Sequence, residues 1–219
     1  MHKIISPKIM YFGTPVVLIS TLNEDNTPNL APMSSAWWLG KSCMLGMSTR
    51  SKTVENMKRH PECVLNLPSP DLVENVNRLA MLTGKNPVPD YKMEMGYSYE
   101  PKKFEISGLN YTSSHLIKPP RVVECPVQLE AVVKKIHNID SPEAHLSSIE
   151  VKIIRVHIEE DLLESGTKNY IDPLKWSPLI MNFCEFFGLS KKLHPSRLAT
   201  AFAPNLSSNI SQNSVAMAK

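Results

Sequence analysis

The order of apolar and polar positions changes three times along this chain. From Pro15 to Thr21 (PVVLIST) a short β-branched apolar run reads as a buried strand. The polar Asn23–Asn26 stretch predicts a turn, and the chain returns through Asn29, Ala31, Met33 and Ser35 toward Trp37 and Trp38 as a second strand. Cys43–Ser48 and Cys63–Leu67 are further strand candidates. Between them Ser51 is placed to cap a helix from Lys52 to about Arg59, with Val54 and Met57 on one face and Pro61 as the stop. Ser69, Pro70 and Asp71 then predict the start of a longer helix, its apolar stripe Leu72, Val73, Val76, Leu79 and Ala80, ending at Gly84.

Periodicity is lost over residues 85–121, which are rich in Pro, Tyr and Met; only Phe104–Leu109 reads as a helical turn. Alternation resumes over 122–136 and again over Glu150–Ile158, where the register shifts at Ile153–Ile154 and predicts a bulge. After Gly166 the character changes. Trp176–Phe187 is expected to be a helix carrying Phe183, Phe186 and Phe187, and 203–219 a frayed Ser/Asn-rich tail. The elements do not alternate as βαβ units, so a helix-decorated β-barrel of mainly β, α+β class is expected rather than a parallel sheet. The expected organisation is a barrel domain over residues 1–165 and a helical extension with a polar tail over 166–219.

Composition narrows the chemistry. The 219 residues are 42% hydrophobic and 21% charged with a net charge of +3, ordinary values that argue for no nucleic-acid partner. Of the 8 glycines none are in G-x-G spacing, so the dinucleotide fingerprint is absent; Ser35 stands where a P-loop ending at Gly40-Lys41-Ser42 needs its first glycine. The 4 cysteines include no C-x-x-C pair, and His60 with Cys63 lacks further ligands in sequence, so no metal site is expected. With no signal peptide and no long apolar span, the expected setting is cytoplasmic, with reduced thiols and no membrane contact.

Two short segments carry the candidate chemistry. Ser48-Thr49-Arg50-Ser51-Lys52-Thr53 gathers four hydroxyls and two cations where a helix begins, and free N–H groups there favour an anion. Asn29-Leu30-Ala31-Pro32-Met33-Ser34-Ser35 combines small residues, which admit a flat ring, with polar side chains that can hydrogen-bond it.

Taken in order, PVVLIST, NLAPMSS, S-x-R-x-K-T-x-x-N with Asn56, and ECVLNLPS resemble the flavin reductase-like family of FMN-binding split barrels. Lys118-Pro119-Pro120-Arg121-Val122 and Glu124-Cys125-Pro126-Val127 are similar to that family's K-P-P-R-V…E-x-P-V stretch, and His145 stands near its G-D-H position, although Glu143-Ala144 and Glu150 depart from the pattern. The resemblance covers about residues 10–160. It implies a six-stranded Greek-key split barrel that forms homodimers and holds FMN near the subunit interface. By position, Asn29, Ala31, Pro32, Ser34 and Ser35 would line the isoalloxazine ring and ribityl chain, Ser48, Arg50, Ser51, Lys52 and Thr53 would take the phosphate, and Asn66 would approach the cofactor. The activity implied is reduction of flavin by NADH or NADPH, with the reduced flavin passed to a monooxygenase or another acceptor. The alternatives are a non-enzymatic FMN electron carrier or a binding protein without turnover. Hydride transfer between stacked rings needs orientation and dryness rather than a protein acid or base, so no catalytic dyad is expected; His145 is the candidate for the nicotinamide site. Of Trp37 and Trp38, only one can face a ring if the strand is regular. Met93 and Met95 are candidates for a flexible cover, and His115 is expected at the surface.

Overall fold

The computed structural model describes residues 1–202, so the expected tail at 203–219 lies outside the described residues. They divide into two compact units, Met1–Glu159 with Ser177–Leu189, and Glu160–Trp176 with the residues from Ser190 onward. The elements in chain order are β1 (Phe12–Pro15), β2 (Val17–Leu22), β3 (Pro28–Met33), β4 (Ala36–Leu39), β5 (Ser42–Ser48), α1 (Lys52–Arg59), β6 (Glu62–Leu67), α2 (Val73–Asn77), β7 (Leu82–Thr83), α3 (Asp90–Glu94), β8 (Ser98–Tyr99), α4 (Lys103–Ser107), β9 (Tyr111–Thr112), β10 (Arg121–Val122), β11 (Val127–Ile139), β12 (Leu146–Ile158), β13 (Ile180–Asn182), β14 (Glu185–Phe187) and α5 (Arg197–Phe202).

Among the described residues seven strands form one antiparallel sheet in the order β3-β2-β6-β11-β12-β5-β4, one strand more than the resemblance implied. Its two edge strands, β3 and β4, are joined by only Ser34 and Ser35, which turns the sheet back on itself as a barrel. Ser35 C=O accepts the Gly46 N–H at 2.7 Å across that corner. A Cβ on Gly46 would stand 3.0 Å from Ser35 Cβ, so glycine is what lets β5 approach the corner. Alternation follows the pleat: Cys43, Leu45 and Met47 on β5 face Ile149 and Val151 on β12 in the interior. The predicted bulge is present. Glu130 pairs with Arg155 and Ala131 with Ile153, leaving Ile154 unpaired and exposed while Ile153 is buried.

β2 is buried on both faces. One reason is a second core outside the barrel, where Val16, Leu18 and Leu30 meet Val76, Leu79, Phe104, Leu109, Val122, Cys125 and Leu179. The irregular stretch between β6 and β11 is thus held against the barrel by its own apolar residues.

Two sequence expectations are corrected. The long helix from Pro70 toward Gly84 stops at Asn77. Its last turns tighten to i,i+3 bonds, Leu79 N–H to Val76 C=O and Ala80 N–H to Asn77 C=O, because the chain must turn to bring β7 alongside β8. Asn75 Nδ2 donates to Ser107 C=O at 2.8 Å, tying this short helix to α4. The second correction concerns Trp176–Phe187, which forms the hairpin β13–β14 and not a helix. Phe183 and Cys184 make its two-residue turn with φ of 47° and 67°, a conformation costly for side-chain-bearing residues. Phe183 N–H donates to Tyr11 C=O at 2.8 Å, and its ring packs edge-on against Phe12 with centroids 4.7 Å apart. β13 also pairs with β1, so this segment belongs to the barrel unit and not to an extension beginning at residue 166.

Candidate functional site

α1 forms as its sequence predicts. Ser51 Oγ accepts the Val54 N–H at 3.2 Å as the cap, and His60 is the last capping residue before Pro61. Its buried face is partly polar: Asn56 Nδ2 donates to Thr21 Oγ1 at 3.0 Å and to Asn23 Oδ1 at 3.1 Å, which pins the helix to β2. The start of α1 is thereby fixed beside β3 and β5.

At that place lies a cavity of about 660 Å³, a size typical of small-molecule sites. One wall is the barrel corner: Ala31, Pro32, Met33, Ser35, Gly46, Met47 and Ser48, continuing into Ser51, Lys52 and Thr53. The rest of the lining comes from the segment between α2 and the start of α4, with Leu79, Leu82, Thr83, Gly84, Tyr91, Lys92, Met95, Tyr97 and Lys103. Gly84 is the second position where a close approach demands glycine. A Cβ there would come within 2.9 Å of Asn29 Oδ1 and 3.1 Å of Lys52 Cγ.

The structure sorts the residues singled out in the sequence. Ala31, Pro32, Ser35, Ser48, Ser51, Lys52 and Thr53 share the cavity. Asn29, Ser34, Arg50, Asn66 and His145 do not line it. Asn29 is buried behind Gly84 and donates weakly to Thr21 Oγ1. Asn66 is fully employed in the fold: Nδ2 donates to Leu18 C=O at 3.0 Å and Oδ1 accepts the Val122 N–H at 2.9 Å. Arg50 is exposed, its guanidinium 4.6 Å above the Tyr91 ring, and borders a neighbouring open pocket with Pro87, Asp90 and Met93. His145 has a left-handed backbone (φ 51°), and its carbonyl accepts the Thr49 N–H. Trp37 is exposed and Trp38 lines a separate small pocket beside Ile153 and Arg155, so neither reaches the cavity.

Charge is distributed unevenly around the cavity. Lys52 Nζ lies 2.8 Å from Glu24 and 3.3 Å from Glu55; burial works against its charge, but the two carboxylates outweigh burial and raise its pKa. The same Lys52 contact is the main cause that brings Glu24 down to about 2. Lys85 also pairs with Glu55. Lys92 and Lys103, elsewhere in the lining, have no carboxylate partner among the described residues. Lys92 Nζ donates to Thr83 Oγ1 at 3.2 Å and sits 5.1 Å from the Tyr97 ring centroid, and burial lowers its pKa. Lys103 is 4% exposed, and burial, with Lys92 nearby, brings it down to about 8. Tyr91 Oη is buried without a hydrogen-bond partner among the described residues.

Sequence reading missed Lys92, Lys103, Tyr91 and Tyr97. They come from a stretch with no period, and only the density of Lys and Tyr over 91–103 signals that it is more than a connector.

An antiparallel barrel closed at a two-residue corner, with a cavity of small-molecule size beside that corner and a helix start, is a split barrel. The chain matches the flavin reductase-like domain over residues 9–188, and it belongs to that family. It is 44% identical over 191 residues to YdfE, an uncharacterized protein of Bacillus subtilis (strain 168), covering 87% of this chain and 91% of that one. Its fold is similar to that of flavoredoxin of Desulfovibrio vulgaris (Miyazaki F), with a TM-score of 0.72 at 20% identity, over 90% of this chain and 98% of that one. It is also similar to nitrilotriacetate monooxygenase component B of Bacillus cereus, with a TM-score of 0.68 at 18% identity, over 84% and 88% of the two chains. No described helix is long and apolar enough to cross a membrane.

Proposed function

We propose that the cavity holds FMN and that the protein is an NAD(P)H-dependent flavin reductase supplying reduced flavin to a monooxygenase or another acceptor. The observation that carries this reading is the pairing of an apolar, glycine-lined slot with a hydroxyl-rich helix start inside one cavity. The residues present fit the group. Ala31, Pro32, Met33 and Leu82 give flat apolar walls. The hydroxyls of Ser48, Ser51 and Thr53, with the N–H groups that open α1, suit a phosphate. Tyr91 Oη has an unused hydrogen bond to give. Arg50 is withdrawn onto Tyr91 and Lys52 is shared by two carboxylates, so hydroxyls and backbone supply most of the phosphate grip.

When bound, FMN supplies the two-electron hydride chemistry. The chain's own contribution is to orient and to keep water out. Leu79, Leu82, Met95 and Tyr97 add apolar lining to the slot, so a ring placed there is shielded from water. Lys92 and Lys103 add positive potential to that dry space, which favours the gain of negative charge. The protein is proposed to act as a homodimer, as the family resemblance implies, and in the cytoplasm.

The test is direct. The purified protein is loaded with FMN, made anaerobic and mixed with NADH or NADPH while the flavin band is followed. Fast bleaching is the expected result. Bleaching only when a reduced partner protein is added would replace the reductase by an electron carrier, and refusal of FMN would overturn the whole reading.

A further inference from the structure

The loop between β9 and β10 meets strands β11 and β12 at three side chains that the flavin reading leaves unused. None of them lines the cavity. His115 comes from the loop, Glu130 from β11 and His157 from β12, and a metal-ligating type of atom from each lies within 4.8 Å of the other two. Ligands gathered from a loop and two strands have no short spacing along the chain, unlike His60 and Cys63, so the sequence gives no sign of them.

Hydrogen bonds fix where the protons are. Arg155 Nη1 lies 3.2 Å from His115 Nδ1. A guanidinium only donates, so His115 Nδ1 carries a lone pair. His157 Nε2 lies 2.6 Å from Glu130 Oε1, and an ionised carboxylate only accepts, so His157 Nε2 carries a proton. Two groups therefore stand where a cation would sit among the three side chains: that proton and Arg155. Both can give way. A neutral imidazole holds its proton on either nitrogen, so His157 can carry it on Nδ1 and offer Nε2 as a lone pair. Arg155 is exposed and has solvent to turn into. The backbone N–H groups of His115 and Leu116, which also donate to Glu130, are unaffected by either change.

We propose that His115 Nδ1, Glu130 and His157 Nε2 bind one zinc ion, with solvent at the fourth position, and that the ion fastens the loop between β9 and β10 to the barrel. Two imidazoles and a carboxylate are a ligand set that suits zinc. A tetrahedral zinc ion keeps its ligand atoms about 3.4 Å apart, so His157 and Glu130 separate by less than about 1 Å as the ion enters. His115 at the surface and His157, 16% exposed, give the ion a way in, while Glu130 forms the buried floor. The charge of Arg155, and of Arg121, which is near enough to act on His157, opposes the ion and limits its affinity.

The full chain is stripped with a chelator, dialysed and titrated with zinc chloride by calorimetry. Cobalt(II) in place of zinc reports the coordination through its visible absorption. One zinc per chain and the strong visible bands of four-coordinate cobalt are expected. His115→Ala is expected to lose at least about tenfold in zinc affinity. Alanine keeps the backbone N–H that holds Glu130, so the urea midpoint of this variant without metal should stay at the wild-type value, which separates loss of a ligand from loss of the fold. Zinc should raise the midpoint of the wild type and leave that of His115→Ala unchanged. Arg155→Ala removes a competing donor and a repelling charge, and should bind zinc at least about threefold more tightly than wild type. No binding by the wild type, equal binding by wild type and His115→Ala, or binding by Arg155→Ala no tighter than wild type overturns the site. These outcomes do not depend on whether the cavity takes FMN.

Discussion

Glu130 and Lys103 are both buried charges in the same unit, and their surroundings are opposite. Glu130, on β11, is fully enclosed and fully satisfied. Its carboxylate accepts the His115 N–H at 2.8 Å, the Leu116 N–H at 2.7 Å and His157 Nε2 at 2.6 Å. Burial alone would push its pKa up, but these three donors hold it below the ordinary carboxylate value. His115 is exposed, as its position suggested, and its ring also packs edge-on against His157 with Nδ1 3.2 Å from Arg155. Lys103 has nothing comparable. A charge whose partners all come from the fold serves the fold; here it fastens the loop before Pro119-Pro120 onto the barrel. A charge without a partner among the described residues, lining a cavity, is left costly in the ligand-free fold.

The contrast gives stability effects of opposite sign. Glu130→Ala removes one member of a buried network and leaves two backbone donors and His157 without an acceptor. It should destabilise by about 3–5 kcal/mol, read as a lowered urea midpoint. In the wild type the same network loses stability as pH falls, because a carboxylate with a depressed folded-state pKa gives up its contribution on protonation. His157 adds to the trend. Burial lowers its pKa below 6.5 despite Glu130, so the unfolded chain takes up that proton first as pH falls below that value. A Glu130→Ala midpoint within experimental error of wild type would mean the network carries no weight.

Lys103→Met should act the other way and somewhat less. With its pKa moved from 10.5 to about 8, the charged lysine opposes folding below pH 8, by about 3 kcal/mol at most. That opposition fades as pH rises from 8 toward 10.5, where the folded side chain is neutral while the unfolded one still loses its proton. The ligand-free variant should thus be more stable than wild type at pH 7 and lose that advantage by about pH 10. Lys92 and Glu100, the charged groups that act on Lys103, are unchanged in this comparison. A destabilised variant would show that the lysine has a partner in the folded chain.

What was readable in the sequence follows the same division. The barrel strands, the α1 cap and the bulge at Ile154 were legible because each rests on local rules: alternation, a Ser–Val54 bond, a doubled apolar pair. The family order of motifs made the fold legible as well. The second cavity wall was not, because Lys92, Tyr97 and Lys103 are placed by contacts of Val76, Leu79 and Phe104 with Val16 and Leu18, far apart in sequence. β13–β14 misled for a related reason. An apolar run of that length suits a helix or a hairpin, and only the positive φ at Phe183 and Cys184, supported by Tyr11 and Phe12, decides between them. Asn66 and Asn29 looked like ligand residues by position, but a buried amide is as readily consumed by the backbone around it.

Ser51 offers the smallest effect and the finest test of the first wall. Its Oγ accepts from Val54 as a helix cap, while its hydroxyl faces the proposed phosphate place. Ser51→Ala should cost about 1 kcal/mol of stability and weaken FMN binding modestly, since cap and donor are lost together. Ser51→Asp separates the two roles. Aspartate caps as well as serine, so stability should stay within about 0.5 kcal/mol of wild type. The added negative charge at the helix start should repel a phosphate and lower FMN affinity about tenfold or more, with riboflavin, which has no phosphate, affected far less. Equal losses for FMN and riboflavin would place the phosphate elsewhere and leave α1 as a structural helix.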